Sequence, residues 1–249
     1  MNSGEKPVTV IIPTWNRGLL LERAVLSALK QGSLVDKVIV VDNGFERANL
    51  SHILDDRVLV LQAQPSIGAS AARNMGASEA QTEYLAFLDD DDYWEADFLS
   101  SAMPLICDKA DIVVGRLMRK SEGGDPINYK LIDDSPLGLR KLYYSNPGFG
   151  GQNIIVRRSL FLQLGGFDVD MPASNDRDFA VRALQAGANI RVQPDSFAVL
   201  CDHGGERVRH KQIAGNYKFI KKHWKHMLWP ERFKAVKVLA KRYITSKFR

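Results

Sequence analysis

Four consecutive aspartates, Asp89, Asp90, Asp91 and Asp92, lie within the stretch YLAFLDDDDYW at Tyr84–Trp94. Adjacent carboxylates repel one another, so their charge must be met by water on a turn or by a divalent cation. Hard cations such as Mg2+ and Mn2+ take oxygen ligands, often one or two carboxylates together with substrate phosphates. The run follows Leu85–Leu88, which reads as a buried strand. Open α/β sheets bind ligands beyond the carboxyl ends of their strands. That position favours a metal–phosphate site over a solvated turn. A second acidic cluster, SNDRDFAVR at Ser174–Arg182, starts a helix near Asp176 and spaces Asp178 and Arg182 for an i,i+4 ion pair.

The elements that must position these groups follow from hydrophobic patterning. Val8–Ile12, Val38–Val41, Val58–Leu61 and Leu85–Leu88 are short apolar runs typical of strands buried on both faces. Leu19–Lys30 fits a helix ended by Gln31-Gly32, and the small-residue stretch Gly68–Ala80 fits a helix that packs closely. The order reads strand, helix, strand, helix, strand, helix, strand, which implies βαβ units and a parallel sheet. Loops after parallel strands share one edge, so Trp15, Asp42 and Asp89–Asp92 should converge. Further on, Ala96–Cys107 reads as a helix, Asp111–Met118 as a strand, Ser121–Pro136 as a surface excursion and Leu137–Tyr144 as a short helix. Asn153–Val156 is a strand candidate, Ser159 an N-cap for a helix at Leu160–Leu164, and Ile190–Val192 and Phe197–Leu200 two late strands.

Charge is unevenly spread. Residues 210–249 carry 12 Lys and Arg against one acid, Glu231, a net +11; the first 209 residues carry 22 against 28, a net −6, together the +5 of the whole chain. An acidic body with a basic tail suggests contact with an anionic surface. Phe219, Ile220, Trp224, Met227, Leu228 and Trp229, then Phe233–Ile244, intersperse apolar residues with lysines, as in amphipathic helices at an anionic bilayer. The alternative is packing of those apolar faces on the body or on a second subunit. Charge is the only feature that would suit nucleic acid, and none is expected as a partner. No run is long enough to span a bilayer. The first apolar run, Val8–Ile12, lacks a cleavage site, which argues against a secretory signal. Cys107 and Cys201 form no CxxC pair and read as core residues of a reducing compartment.

VTVIIPTWNR, VIVVDNG, GASAARNMG, FLDDDDYW and SNDRDFAVR, in this order and spacing over Val8–His203, resemble the family 2 glycosyltransferases with the GT-A nucleotide-sugar transferase fold. The resemblance implies an α/β fold, Rossmann-like and mostly parallel, flanked by helices and followed by the basic helices. It implies a catalytic domain over 1–209, with a nucleotide-binding half to about 118 and an acceptor half over 119–209, before the tail at 210–249.

It implies roles as well. Asp89–Asp92 looks like the Asp-x-Asp motif, with Asp91 ligating Mn2+ or Mg2+ through the donor diphosphate and Asp89 and Asp90 supporting the metal or binding ribose. Pro13, Thr14 and Trp15 are similar to the loop against the base, and Asp42 to the acid that binds base or ribose, with turn-capping before Gly44 as its alternative. Arg73 suits the base edge or diphosphate. Asp176 matches the general base that takes the acceptor hydroxyl's proton, although Asn175 stands where the family usually has an acid. Trp94, Gln152, Asn153 and Asp178 are acceptor-side candidates, and His203 a late metal or diphosphate ligand.

The expected reaction is inverting transfer of one sugar from a nucleotide sugar, UDP first, to a saccharide or lipid-linked saccharide in glycoconjugate or polysaccharide synthesis. The Gln-x-x-Arg-Trp motif of processive relatives is absent. A cytoplasmic enzyme peripheral to the membrane, in some assembly of copies, fits this picture. The rivals are a sugar-phosphate nucleotidylyltransferase, whose Gly-rich basic phosphate loop PTWNRG does not resemble, and a non-catalytic nucleotide-sugar or membrane-docking module.

Overall fold

The computed structural model describes residues 7–121, 124–202 and 209–247. Strand β1 (Val8–Thr14) is buried along its whole length. Val8, Val10 and Ile12 face one core and Ile11 the other, as the two-residue period of a strand requires. The chain continues through α1 (Leu19–Leu29), β2 (Val35–Asp42), β3 (Val58–Gln62), α2 (Ala69–Glu79), β4 (Tyr84–Phe87), β5 (Tyr93–Trp94) and α3 (Phe98–Cys107). Then come β6 (Ile112–Ser121), β7 (Ile127–Asn128), α4 (Pro136–Leu139), β8 (Ile154–Arg157), α5 (Arg158–Gln163) and α6 (Asn175–Gln185). The last elements are β9 (Ile190–Asp202), α7 (Arg209–His223) and α8 (Trp229–Lys247).

Nine strands form one sheet among the described residues, in the order β3-β2-β1-β4-β8-β6-β9-β5, with β7 paired to β6. The portion β3-β2-β1-β4 is parallel, as the alternation of elements requires. β8 runs antiparallel to both β4 and β6, and β9 returns parallel to β6. Leu21, Val25, Phe98, Leu99 and Ile106 of α1 and α3 cover one face. Ala72 and Ala77 of α2, Phe161 of α5, Phe179 of α6 and Phe219 of α7 cover the other. Gly76 lets α2 lie against β1 and β2: a Cβ there would meet Ile11 Cγ2 at 2.6 Å and Val41 Cγ2 at 3.2 Å.

Three expectations are corrected. The β2–β3 connection contains no helix; Asp42 and Asn49 instead hold it in turns through backbone amides. The helix expected after Ser159 begins earlier, with Arg157 at its N-cap. The two late strands are one strand, β9, whose pairing shifts register opposite Gly115.

The tail packs on the body through α7. Phe219 and His223 are buried, Met227 and Ala235 follow them into the core, and the Arg177 guanidinium lies 3.8 Å from the Phe219 ring centroid. Burial of a side chain the size of Phe219 stabilises by about 2 kcal/mol. Arg140 clamps Glu231 with two hydrogen bonds of 2.7 Å, which holds the start of α8. Among the described residues no helix is long and apolar enough to cross a membrane.

Candidate active site

The carboxyl ends of β1 and β4 meet at the acidic run. Thr14, the last residue of β1, donates its hydroxyl to Asp90 Oδ2 at 2.8 Å, and the Trp15 amide donates to the same oxygen at 3.3 Å. Burial, opposed by the Thr14 hydrogen bond and reinforced by Asp91 and Asp89, pushes the Asp90 carboxyl up to about 6. Asp89 is ion-paired with Arg73 of α2. Asp91 receives Arg17 Nη2 at 3.3 Å, and Arg17 Nε lies 3.9 Å from Asp90. The loop after β1 thus folds a cation back over the run. These partly exposed pairs are each worth little in stability; they show where negative charge is balanced.

Asp92 is different. It is buried and accepts the Cys201 amide at 3.0 Å; burial, with Asp89 adding repulsion, pushes its carboxyl up to about 8. It ties the turn to β9. Among the described residues no group of three or more His, Cys, Asp or Glu forms a self-sufficient cation site.

A cleft of about 370 Å³ opens beside the run, lined by Pro13, Thr14, Trp15, Arg17, Asn43 and Asp90, with Gly68 and Ala69 at the N-terminus of α2. Trp15 is 52% exposed at its mouth, a flat face left for stacking. Asn43 is buried and donates to the Thr14 carbonyl at 2.6 Å, fastening the loops after β1 and β2 together. Asp42 reaches the same edge, but its carboxylate serves the turn: Oδ1 accepts the Gly44 amide at 2.9 Å and Oδ2 the Ala48 amide at 2.7 Å. In this structure the turn-capping alternative describes it, because the side chain is 1% exposed.

Arg73 is 7% exposed and its Nε has no hydrogen-bond partner. Gly151 makes room for it. A Cβ at Gly151 would stand 3.2 Å from the Arg73 Cζ, so the glycine leaves room for the guanidinium.

Asp176 arrives from the other half of the sheet. Ser174, in the left-handed conformation at φ 65°, turns the chain into α6. Asn175 Nδ2 hydrogen-bonds Ser70 Oγ in the first turn of α2, next to Gly68 and Ala69 of the cleft. Asp176 keeps partial solvent contact, yet it sits deep among neighbouring elements, and burial raises its pKa. Arg73 and Asp89 are close enough to act on it electrostatically, Arg73 lowering its pKa and Asp89 raising it.

Four acceptor-side candidates do not line this cleft. Trp94 is 3% exposed, stacks on Phe98 at 4.7 Å between centroids, and donates Nε1–H to the Gln152 carbonyl at 2.8 Å. It borders a separate depression of about 590 Å³ along α1. Asn153 is fully buried; its Nδ2 donates to the carbonyls of Gly115 and Gly148, and its Oδ1 accepts the Gly150 amide. Gln152 is 8% exposed. Asp178 is fully buried among Arg182, Lys222 and His223, each within 2.8 Å. The side chains of Trp94, Asn153 and Asp178 build the scaffold because their polar atoms are spent on it, and Gln152 contributes its backbone carbonyl. His203 lies outside the described residues. Arg17 and Ser70 were not picked out from the sequence. Arg17, the only cation within PTWNRG, was the available signal; nothing in the sequence marks Ser70.

A mixed α/β sheet with an acidic turn and a cleft at its carboxyl edge is the GT-A arrangement, and the comparisons agree. The family model for glycosyl transferase family 2 matches residues 9–165. The chain belongs to that family. It is similar to the pre-mycofactocin glycosyltransferase of Mycobacterium tuberculosis, with 34% identity over 202 residues, covering 76% of this chain and 41% of that protein. The chain thus spans about two-fifths of the length of that relative. Two solved structures share the fold. S. aureus TarS 1-349 in complex with UDP-GlcNAc has a TM-score of 0.66 at 18% identity, over 95% of this chain and 80% of that one. The mannosyltransferase PcManGT of Pyrobaculum calidifontis, in complex with GDP-Man and Mn2+, has a TM-score of 0.66 at 19% identity, over 98% and 76%.

Proposed function

We propose that the chain transfers a single sugar, with inversion, from a nucleoside-diphosphate sugar to a hydroxyl of a saccharide or lipid-linked saccharide. The observation that carries this reading is the gathering of three groups beside the cleft, which Arg17 and Asp90 themselves line. They are the acidic turn Asp89–Asp91, the cations Arg17 and Arg73 beside it, and the Asp176 end of α6, tied to α2 through Asn175 and Ser70. The nucleotide lies in the cleft with its base against Trp15. Its diphosphate lies by the acidic turn, where the unpaired Arg73 Nε offers a buried donor to an anion.

The donor set fits a divalent cation. Asp89 and Asp91 are hard oxygen donors that would hold a divalent cation, which takes one or two carboxylates together with substrate phosphates. Asp91 is the proposed direct ligand and Asp89 its support; Mn2+ or Mg2+ would withdraw charge from the departing diphosphate. Arg73 and Arg17 then pair with phosphate oxygens. Asp176 accepts the hydroxyl proton as the acceptor oxygen bonds to the anomeric carbon and the bond to the diphosphate breaks. Its raised pKa suits it to hold that proton.

The test pairs binding with turnover. Calorimetry with UDP-, GDP- and dTDP-sugars, with and without Mn2+, identifies the donor, and Asp176→Asn is then assayed for transfer to saccharide acceptors. Donor binding retained with transfer abolished is the expected result. Transfer at near-normal rate by that variant removes Asp176 from the mechanism, and no affinity for any nucleotide sugar removes the reading.

A further inference from the structure

The second tail helix is only half used by the fold. Glu231 and Ala235 of α8 turn inward and are buried. On another side Trp229, Phe233, Val236, Ala240 and Ile244 recur every three or four residues, which aligns them in one stripe. All five are exposed, Trp229 at 77% and Phe233 at 69%. Leu228, just before the helix, is also exposed. Exposed aromatic residues in a row mark an interaction surface.

Charge selects the occupant. Lys237 and Lys241 flank the stripe and Lys225 precedes it, all exposed. The one acid of residues 210–249, Glu231, is buried and held by Arg140 and the Leu228 amide. The outer face of α8 therefore offers apolar and cationic groups with no carboxylate to oppose them. A second copy laid stripe to stripe would bring two tails of net +11 together, which costs Coulomb energy. Nucleic acid would satisfy the lysines and leave Trp229 and Phe233 in water. A surface that is anionic outside and apolar beneath satisfies both.

We propose that α8 docks the protein on an anionic lipid bilayer, with Trp229, Phe233, Val236 and Ile244 entering the headgroup–acyl boundary and Lys237 and Lys241 meeting lipid phosphates. α7 stays on the body, because Phe219 and His223 are locked into the core. The surface stands apart from the transfer reading, and its test needs no turnover.

The full chain is sedimented with phosphatidylcholine vesicles and with mixed phosphatidylcholine–phosphatidylglycerol vesicles. The expected result is binding to the anionic vesicles at low salt, weakened by salt. Lys237→Gln and Lys241→Gln should each weaken it about fivefold, and the double variant Trp229→Ser/Phe233→Ser should abolish it. Unchanged melting temperatures show that these surface variants remain folded. Absence of vesicle binding, equal binding to neutral vesicles, or binding unchanged in the double variant would each overturn the proposal. So would a concentration-dependent dimer that the double variant dissolves, since that assigns the stripe to a second copy.

Discussion

His223 Nε2 lies 2.8 Å from Asp178 Oδ1, and both residues are buried. The contact joins the last residue of α7 to the first turn of α6, two positions beyond Asp176. Arg177, between them in sequence, donates to the carbonyls of Leu142 and Tyr143 and to Asn216 Oδ1 of α7. The tail is therefore part of what holds the candidate base.

Removing Asp178 leaves Arg182 without its buried counter-charge and Lys222 with Asp168 alone. Asp178→Asn should destabilise the fold by about 3 kcal/mol, measured by urea denaturation at neutral pH. Burial acts to raise the Asp178 pKa, but the hydrogen bonds from His223, Lys222 and Arg182 outweigh it and hold the carboxyl below the ordinary range. A carboxyl whose folded pKa is depressed adds stability above its unfolded value of about 3.9. That contribution is lost as pH falls from there through the folded value. The wild type should lose stability over that acid range, and Asp178→Asn should lose less.

Asp176 has the opposite shift. Burial raises its pKa, and only the carboxylate can accept a proton. The transfer rate should rise with pH through a limb that lies above the ordinary aspartate value of about 3.9. Asp176→Asn should cost at least about a hundredfold in turnover while donor affinity holds. A rate profile flat down to the ordinary aspartate range would contradict the assignment.

Gly151→Ala places a methyl group 3.2 Å from the Arg73 guanidinium carbon. The side chain can shift, so the melting temperature should change little. Its contact with Asp89 and with a diphosphate should suffer. About a tenfold loss of donor affinity is expected, comparable to losing one charge-assisted hydrogen bond, and Arg73→Ala should lose at least as much. Calorimetry with the donor found for the wild type decides it.

Asp91→Ala should weaken donor binding only when the metal is present. Without metal, the variant and the wild type should bind donor alike. Chelation of the wild type should reproduce the variant's affinity. A metal effect that survives the substitution would move the ligand role to Asp89 or Asp90.

Gly76→Ala tests the scaffold. Its Cβ would meet Ile11 and Val41, at 2.6 and 3.2 Å, inside a fully buried face. Overpacking of this kind costs about 1–3 kcal/mol. An unchanged denaturation midpoint would mean that α2 lifts freely from the sheet.

The parallel half of the sheet was legible in sequence because β1, β4 and most of β2 are buried on both faces and read as unbroken apolar runs; β3, at the edge, keeps the apolar run although Leu59 is exposed. The run LDDDDY marked the ligand edge for the same reason: charge that dense can follow a buried strand only at its exposed end. The small residues of α2 announced a close approach, which Gly76 makes. What the sequence could not separate was polar side chains that face a ligand from those that face the scaffold. Trp94, Asn153 and Asp178 have the chemistry of a sugar site, yet each spends its polar atoms on partners far away in sequence: Gln152, Gly115 and His223.

By itself, then, the sequence determined the alternation that builds the sheet, the carboxylates at its edge and the charge of the tail, because these depend on residue type and local spacing. Tertiary structure decided which groups meet. It put Arg73 on Asp89, tied Asn175 to Ser70, and spent Asp42 on its own turn. It also divided the tail, burying one face of α7 under α6 and leaving one face of α8 in water. Pairings across the chain depend on how layers stack, and no local pattern encodes that.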